Sequence, residues 1–454
     1  MNSVAFSSCA GILRHLEGRG FFHMDLSLDR MEAALRALGL TRPPFLVAQV
    51  LGTNGKGSTS AFLSSLARAH GHRVGLYTSP HFLLPEERIR IDGRPLPCAS
   101  WVDAANEVVR CGPDLTYFEF LTVLAVALFA RAGVSLAVME AGLGGRYDAT
   151  TALAADVLAY APIAKDHAAV LGPTLRRIAA DKAAAIRSAA PVFSAPQFPD
   201  AGEELRAAAQ RRHAPLTFVP PLEGDAPLGL AGAHQRVNAG LALAVWKELA
   251  PRLGSPSGDA AAQARGLASA FVPGRLQWAE GARMPGDGLP LPPLLLDGAH
   301  NAHGVRSLVG HLRERGLRPR AVIYSCLGDK EWRPAVALLR RQVEDAPFLV
   351  PGLHNGRAAS AGEVARFLNG CAPGTASVVD GVPDALRRAA AVPPSHAAGP
   401  ARDPVLICGS LYLLSEVYAC LPCLLDGGTA GEAFPATGNV MRRDAANPGQ
   451  EVSL

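Results

Sequence analysis

The chain has 454 residues, of which 49% are hydrophobic and 19% are charged. That length exceeds what one hydrophobic core usually serves, so we expect two domains. The 44 basic and 40 acidic side chains leave a net charge of only +4, which excludes global disorder and gives no basic footprint for binding nucleic acid.

Short apolar runs bounded by glycine alternate with helical stretches through the first part of the chain. The first long helix is predicted at 27–38, with Gly39 as its stop signal. Strands covered on both faces are predicted at 45–51, 73–77, 134–139, 157–161 and 191–194. Such alternation is typical of an α/β fold with a mostly parallel sheet.

The apolar stretch at 120–139 is long enough to suggest a membrane span, but Arg131 and Gly133 interrupt it. It divides better into a buried helix at 118–130 and a buried strand at 134–139. The amino terminus also lacks a basic region followed by an apolar core. We therefore expect a chain in solution, with no membrane partner.

The pattern breaks near 271–275, before an insert rich in proline and glycine at 281–293. A second alternating set follows, which predicts a smaller sheet domain of its own. Its predicted strands are 294–296, 321–325, 348–350 and 404–408, and its predicted helices are 302–315 and 332–343. The expected domains are 1–274 and 275–426, followed by a mobile tail at 427–454, with a further loop at 392–403.

Eight cysteines are scattered through the chain without a dense framework. A reduced, cytoplasmic protein is the simplest interpretation. The close pair Cys420 and Cys423 lacks a second pair at zinc-site spacing, so we assign it no metal.

A glycine-rich loop after the first predicted strand is the strongest local signal. Glycines let backbone N–H groups turn toward a triphosphate, Lys56 would neutralise its outer phosphates, and Ser58 would ligate Mg²⁺ ahead of a helix beginning near Thr59. The alternative is an ordinary glycine-rich turn that caps a helix. The loop comprises Gly52, Thr53, Asn54, Gly55, Lys56, Gly57 and Ser58.

Polar side chains also follow the next predicted strands. Carboxyl ends of parallel strands face the ligand crevice, so Glu140 and Ser79 are expected beside the phosphate loop, where a carboxylate suits Mg²⁺. Glu140 could instead cap a turn or pair with Arg146, and Ser79 could belong to a Ser-Pro turn.

For four further residues, the sequence by itself allows two interpretations each. His167 is a metal ligand or a structural histidine, and Lys182 is functional or a solvated helix lysine. Arg88 holds a substrate carboxylate or is one surface charge among several. Asp297 binds ribose hydroxyls or forms an Asx-type turn.

Taken in order, these segments resemble the folylpolyglutamate synthase and dihydrofolate synthase family of Mur-ligase-like, ATP-dependent amide-forming enzymes. The resemblance covers about residues 12–424. The segments that carry it are HMDLSLDR at 23–30, GTNGKGS at 52–58, YTSPH at 77–81, ERIRIDG at 87–93, FEF at 118–120, EAGLGGRYDAT at 140–150, DH at 166–167, the helix around Lys182, HQRVN at 234–238, GR at 274–275, DGAHN at 297–301 and CGSLY at 408–412.

The resemblance implies a phosphate-loop domain joined to a smaller Rossmann-like domain, and roles for particular residues. Ser79, Glu140 and His167 would serve magnesium, and Lys182 would carry a carbamate. Asn238 would contact adenine, and Arg275 and Asp297 would lie at the nucleotide. Near the incoming glutamate and the reacting centre it places Arg88, Asp148, His300 and Ser410.

The resemblance further implies ligation of L-glutamate to dihydropteroate or a reduced folate through an acyl phosphate, with ATP and Mg²⁺ and by default as a monomer. Two alternatives remain. Another Mur-type ligase would act on a different acid, but the phosphate loop begins too early in the chain for a preceding nucleotide-sugar domain. A nucleotide-binding regulator without turnover is disfavoured by the joint presence of Glu140, His167 and Lys182.

Overall fold

The computed structural model describes residues 5–20, 26–112, 114–343, 346–394 and 403–426. Residues 23–25 of the family-like segment, most of the predicted loop at 392–403 and the predicted tail at 427–454 lie outside these ranges. The chain divides into two compact units. Unit 1 comprises Met1–Leu230 and His234–Val272, and unit 2 comprises Ala231–Ala233 and Pro273–Leu454.

Within the residues that the structure describes, unit 1 contains ten α-helices and eight strands. Its helices are α1 Cys9–Gly18, α2 Asp29–Ala37, α3 Lys56–Ala69, α4 Val102–Cys111, α5 Tyr117–Ala132, α6 Ala168–Leu171, α7 Leu175–Ala183, α8 Pro199–Arg211, α9 Gln235–Leu249 and α10 Ala260–Ala268. Its strands are β1 Leu46–Leu51, β2 Val74–Tyr77, β3 Ile89–Ile91, β4 Arg94–Pro95, β5 Leu136–Glu140, β6 Val157–Tyr160, β7 Val192–Ser194 and β8 Leu216–Phe218.

The sheet of unit 1 has the strand order β4-β3-β2-β5-β1-β6-β7-β8. From β2 to β8 its neighbours pair in parallel, whereas β3 and β4 add an antiparallel edge. β1 lies between β5 and β6, and Val50 pairs with Glu140. The loops that follow β1, β5 and β6 therefore leave the same edge of the sheet.

The helix α5 shows why the apolar stretch folds as predicted. Thr116 and Glu119 form a capping box at its start, and Gly133 ends it in a left-handed conformation with φ of 64°. Most of its residues are buried in the core of unit 1. Within the described ranges, no helix is long and apolar enough to cross a membrane.

Unit 2 is built around a second sheet. Its helices are α11 Ala302–Arg315, α12 Trp332–Gln342, α13 Ala361–Cys371, α14 Gly381–Ala391 and α15 Leu411–Cys420. Its strands are β9 Gln277–Ala279, β10 Leu294–Asp297, β11 Ala321–Tyr324, β12 Phe348–Pro351, β13 Ala376–Val379 and β14 Val405–Cys408, in the order β13-β12-β11-β14-β10-β9. β9 is antiparallel to β10, and the other neighbours pair in parallel.

The prediction that every cysteine is reduced is wrong for one pair. Cys9 and Cys98 form a disulfide, with their Cα atoms 5.4 Å apart. The pair is 89 positions apart in sequence, and it meets because α1 packs against α4 and the 3-10 helix Cys98–Trp101. Sequence spacing cannot reveal such a pairing, because only the packing of these helices creates it.

Candidate functional site

The loop between β1 and α3 has a backbone that requires glycine. Gly52 and Gly55 have φ angles of 134° and 93°, and a Cβ on Gly52 would lie 2.7 Å from the carbonyl oxygen of Ala161. Thr53 and Asn54 donate their N–H groups to the carbonyl of Pro162 at 3.0 and 3.2 Å. The loop is thus fixed against the segment that follows β6.

The helix after this loop starts earlier than predicted, at Lys56 rather than near Thr59. Gly55 adopts the left-handed conformation as its N-cap, so Lys56, Gly57 and Ser58 form the first turn. Free N–H groups of a first helical turn and the helix dipole favour an anion at this position. The N–H groups of this first turn and the ammonium of Lys56 therefore create a positive potential at the same place, which favours an anion.

Glu140 is the point at which three loops meet. It ends β5, and its carboxylate accepts a hydrogen bond of 3.2 Å from the N–H of Ser79, after β2. A Cβ on Gly57 would lie 3.6 Å from both carboxylate oxygens. A buried carboxylate beside the hydroxyl-bearing Ser58 and Ser79 offers the hard oxygen donors that Mg²⁺ prefers. These residues fit a magnesium ion.

His167 follows β6 at the same sheet edge. Its backbone is left-handed, with φ of 54° and ψ of 39°, and it precedes the single turn α6. Its Nε2 lies 3.9 Å from a carboxylate oxygen of Asp166, and its side chain is 41% exposed. A partly exposed imidazole after a strand end has the access that a ligand needs.

Lys182 on α7 is buried, with 4% exposure, which excludes the solvated alternative. The pKa of its ammonium is lowered to about 7 by burial first and by the charge of Lys56 second, although the carboxylates of Asp148, Asp181 and Asp166 oppose this. A substantial fraction of Lys182 is consequently a neutral amine near neutral pH.

Asp148 organises the glycine-rich loop that follows Glu140. Its carboxylate accepts N–H groups from Gly142, Leu143 and Thr150 at 2.7, 2.9 and 3.0 Å. Burial raises the pKa of this carboxyl, while these hydrogen bonds and that of the Thr150 hydroxyl lower it. Its oxygens are therefore engaged in holding the loop, which makes Asp148 a positioning residue.

Arg88 is buried rather than a surface charge. Its Nε donates to Nδ1 of His81 at 2.9 Å, and its guanidinium carbon lies 5.4 Å from the ring centre of Tyr117.

Asn238 on α9 is also buried. It donates to the side-chain oxygen of Gln235 at 2.8 Å, and its own oxygen occupies the space that a Cβ on Gly55 would need. Asn238 therefore lies against the phosphate loop.

The candidate residues of unit 2 lie at the carboxyl ends of two neighbouring strands. Asp297 ends β10 and pairs in register with Cys408 of β14, two residues before Ser410. Asp297 accepts N–H groups from Leu276 and Ala299, both at 2.9 Å. The second bond forms the Asx-type turn that the sequence analysis gave as the alternative interpretation.

Burial raises the pKa of the Asp297 carboxyl, and the Arg275 charge opposes that rise. Arg275 itself donates to the Gly274 carbonyl at 3.1 Å, and its guanidinium lies so close to Gly298 that a Cβ there would collide with it. Nδ1 of His300 lies 2.9 Å from the Gly298 carbonyl, and Ser410 caps α15 through the N–H of Tyr412. Asp297, Arg275, His300 and Ser410 therefore lie at or beside the carboxyl ends of β10 and β14.

No protein-family model matches the chain. A dihydrofolate synthase/folylpolyglutamate synthase of Escherichia coli (strain K12) is 31% identical over 443 residues, covering 93% of this chain and 98% of that protein. The chain belongs to the dihydrofolate synthase/folylpolyglutamate synthase family.

Solved structures of this family share the fold. An E. coli FolC structure in complex with DHPP and ADP has a TM-score of 0.78 at 30% identity, covering 92% of this chain and 99% of that one. A Yersinia pestis bifunctional folylpolyglutamate synthase/dihydrofolate synthase, complexed with AMPPNP and Mn ion, has a TM-score of 0.77 at 30% identity, covering 93% and 100%. The predicted Mur-ligase-like α/β fold is confirmed.

His81 is a residue of the candidate site for which the sequence by itself predicted no role. It belongs to the segment YTSPH, and its Nδ1 accepts the hydrogen bond from Nε of Arg88. The two residues are seven positions apart across a turn and a 3-10 helix, so no helical or strand periodicity links them. The only feature of the sequence that could have drawn attention to His81 is its position directly after Ser79 and Pro80.

Proposed function

We propose that this protein joins L-glutamate to the carboxyl group of a pteroyl compound, dihydropteroate or a reduced folate, and cleaves ATP to ADP and phosphate. Enzymes of its family are ATP-dependent ligases of glutamate and folates. The observation that carries the proposal is the convergence of the phosphate loop, Glu140 and Ser79 on one sheet edge. Buried Lys182 adds an unusual amine to the same unit.

The first step makes the acid reactive. A carboxylate is a poor acyl donor because oxide would have to leave, so its oxygen first attacks the γ-phosphorus of ATP. An acyl phosphate forms and ADP leaves. Lys56 and the N–H groups of the loop and of α3 neutralise charge while the phosphoryl group moves, which is the main contribution a protein makes to such transfers.

Ser58, Ser79, Glu140 and His167 would hold Mg²⁺, which supplies further neutralisation of phosphate charge when bound. We also propose a carbamate on Lys182. Its neutral amine attacks carbon dioxide and releases one proton, which leaves a carbamate anion; starting from the ammonium cation, two protons are lost in all. Burial and the charge of Lys56 both disfavour the ammonium form of Lys182, and the same Lys56 charge would favour a carbamate anion.

In the second step the amine of glutamate attacks the acyl phosphate, and phosphate leaves from the tetrahedral intermediate. We assign Arg88, His300 and Ser410 to glutamate and the reacting centre, with Asp148 holding the loop beside it. Asn238 serves adenine, and Arg275 and Asp297 serve the nucleotide.

We place this activity in the cytoplasm, in a monomer whose partners are small molecules and include neither nucleic acid nor a membrane. All of the proposed reactants are small and water-soluble. The cytoplasm is a reducing compartment in which disulfides rarely persist, so we expect the bond between Cys9 and Cys98 to be reduced there.

The test offers purified enzyme ATP, Mg²⁺ and glutamate, together with either dihydropteroate or tetrahydrofolate. We expect a product heavier by glutamyl units and ADP release that requires both glutamate and the acid. Omitting glutamate is the matched control. No heavier product with either acid would overturn the proposal: ADP release with another acid would indicate a different Mur-type ligase, and nucleotide binding without turnover would indicate a regulator.

A further inference from the structure

Three side chains outside the proposed active site bring their ligand atoms together. The sulfurs of Cys9 and Cys98 and a carboxylate oxygen of Glu86 all lie within 4.8 Å of one another. Each comes from a different helical turn: Cys9 begins α1, Cys98 begins its 3-10 helix, and Glu86 lies in the 3-10 helix Pro85–Arg88. The fold alone therefore assembles the cluster.

The carboxylate of Glu86 is poorly compensated in this position. Its Oε2 is shielded from solvent and has no hydrogen-bond partner among the described residues. Burial raises the pKa of Glu86, although a hydrogen bond from its own backbone N–H lowers it, and the neighbouring charge of Glu87 raises it again. Glu87, by contrast, accepts N–H groups from Phe82, Leu83 and Leu84. A shielded carboxylate oxygen without a donor costs free energy unless a positive charge is nearby.

We propose that in the reduced protein Cys9, Cys98 and Glu86 bind one zinc ion, with water as the fourth ligand. Two thiolates and a carboxylate are ligands that zinc accepts, and the thiolates disfavour magnesium and calcium. Tetrahedral geometry at a Zn–S distance of about 2.3 Å sets the sulfurs about 3.8 Å apart. In the disulfide the two sulfurs are closer than this, so after reduction they must separate by side-chain rotation, whereas a Glu86 oxygen already lies within 4.8 Å of both.

The disulfide and the zinc complex are alternative states of the same two sulfurs. A dithiol reductant supplies two electrons and two protons, becomes a disulfide itself, and leaves Cys9 and Cys98 as thiols. Zinc then displaces the two thiol protons, which pass to water. In the disulfide state neither sulfur carries the negative charge that makes a thiolate a strong ligand. Zinc binding therefore requires reduction.

Only the zinc complex would tie α1 to the segment that carries Arg88. Glu86 lies two residues before Arg88, and the disulfide already joins α1 to the helix that leads into α4. In the cytoplasm the disulfide cross-link would be lost by reduction, whereas zinc would replace it and add Glu86 as a third attachment.

The experiment measures zinc on the full-length protein. The protein is reduced with a phosphine, stripped with a chelator, given zinc, and freed of excess metal before the bound zinc is counted. We expect one zinc per reduced chain and none on chains whose disulfide is intact. Cobalt in place of zinc should give a thiolate-to-metal absorption band in the reduced wild type.

Variants separate this cluster from other cysteines. Cys9→Ser and Cys98→Ser should abolish binding, and Glu86→Gln should weaken it by at least about tenfold, the loss that even outer-shell changes produce. The control is Cys420→Ser/Cys423→Ser, which removes the two close cysteines and should keep the zinc. The proposal fails if the reduced wild type binds no zinc, if Cys9→Ser and Cys98→Ser still bind it, or if the control loses it. The oxidised wild type needs no substitution and guards against a variant that does not fold.

Discussion

The N–H of Ser79 donates to the carboxylate of Glu140 across 3.2 Å, just beyond the last backbone pair of β2 and β5, Tyr77 with Met139. This hydrogen bond uses the backbone of Ser79, so it does not depend on the serine hydroxyl. The loops that carry two proposed magnesium ligands are held together by the carboxylate that is itself one of them. Changing Glu140 therefore tests chemistry and architecture at once.

Glu140→Gln keeps an oxygen that can accept the Ser79 bond and removes the negative charge. We expect glutamate-dependent ADP release to fall by about 100-fold or more, as when other transition-state charge stabilisation is removed, with a shift to higher Mg²⁺ demand. The thermal midpoint should change little. Glu203→Gln, at an exposed residue of α8, is the matched control and should behave as wild type. Full activity of Glu140→Gln would remove the metal assignment.

Lys56→Ala removes the cation of the first turn of α3. We expect at least about a 100-fold loss of ligation, while circular dichroism and the thermal midpoint stay near those of wild type. Lys247→Ala removes an exposed lysine from α9 and should leave turnover unchanged. Near-normal turnover without the Lys56 ammonium would contradict its assignment to the phosphates.

Lys182 gives a pH-dependent prediction. Its pKa is lowered to about 7, so the neutral amine is scarce below that pH and predominates above it. The carbamate signal from ¹³C-labelled bicarbonate should accordingly rise as the pH increases through about 7, and activity should rise with it. Lys182→Arg keeps a cation but should show no such signal. Absence of the signal in wild type at every pH would exclude the carbamate.

Asp148→Asn tests the loop that follows Glu140. The amide presents an N–H₂ group where the carboxylate accepted donors, so at least one backbone N–H loses its acceptor. An unsatisfied buried donor costs about 1–3 kcal/mol, and urea denaturation should show a loss of that size. Asp200→Asn, at an exposed position, should stay within about 0.5 kcal/mol of wild type. An equally small change in Asp148→Asn would mean that its hydrogen bonds do not hold the loop.

Much of the fold was predictable because buried parallel strands are short apolar runs bounded by glycine. The helix predicted at 302–315 has those bounds in the structure, and the five strands predicted for unit 1 differ from the observed ones by at most two residues at an end. The edge strands β4, β8, β9 and β13, and the short β3 next to β4, were not predicted. Edge strands are short and partly exposed, so their hydrophobic pattern is weak.

The candidate site was predictable where a residue follows a strand, as Glu140 does, because strand ends meet at one sheet edge. Burial was not predictable. Lys182 and Arg88 are buried by packing of elements distant in sequence, and local composition favours exposed lysine and arginine. The disulfide between Cys9 and Cys98 could not be predicted for the same reason, since it depends on how α1 packs against elements distant in sequence.

The phosphate loop depends on residues that are synthesised much later. Thr53 and Asn54 donate to the carbonyl of Pro162, and the Thr53 hydroxyl bonds to Ala164. Contacts of such sequence separation form slowly, because a long loop of chain must close first. A ribosome-bound nascent chain would therefore have no assembled nucleotide pocket until more than a third of the polypeptide had emerged, and ATP could not aid the earliest stages of its folding.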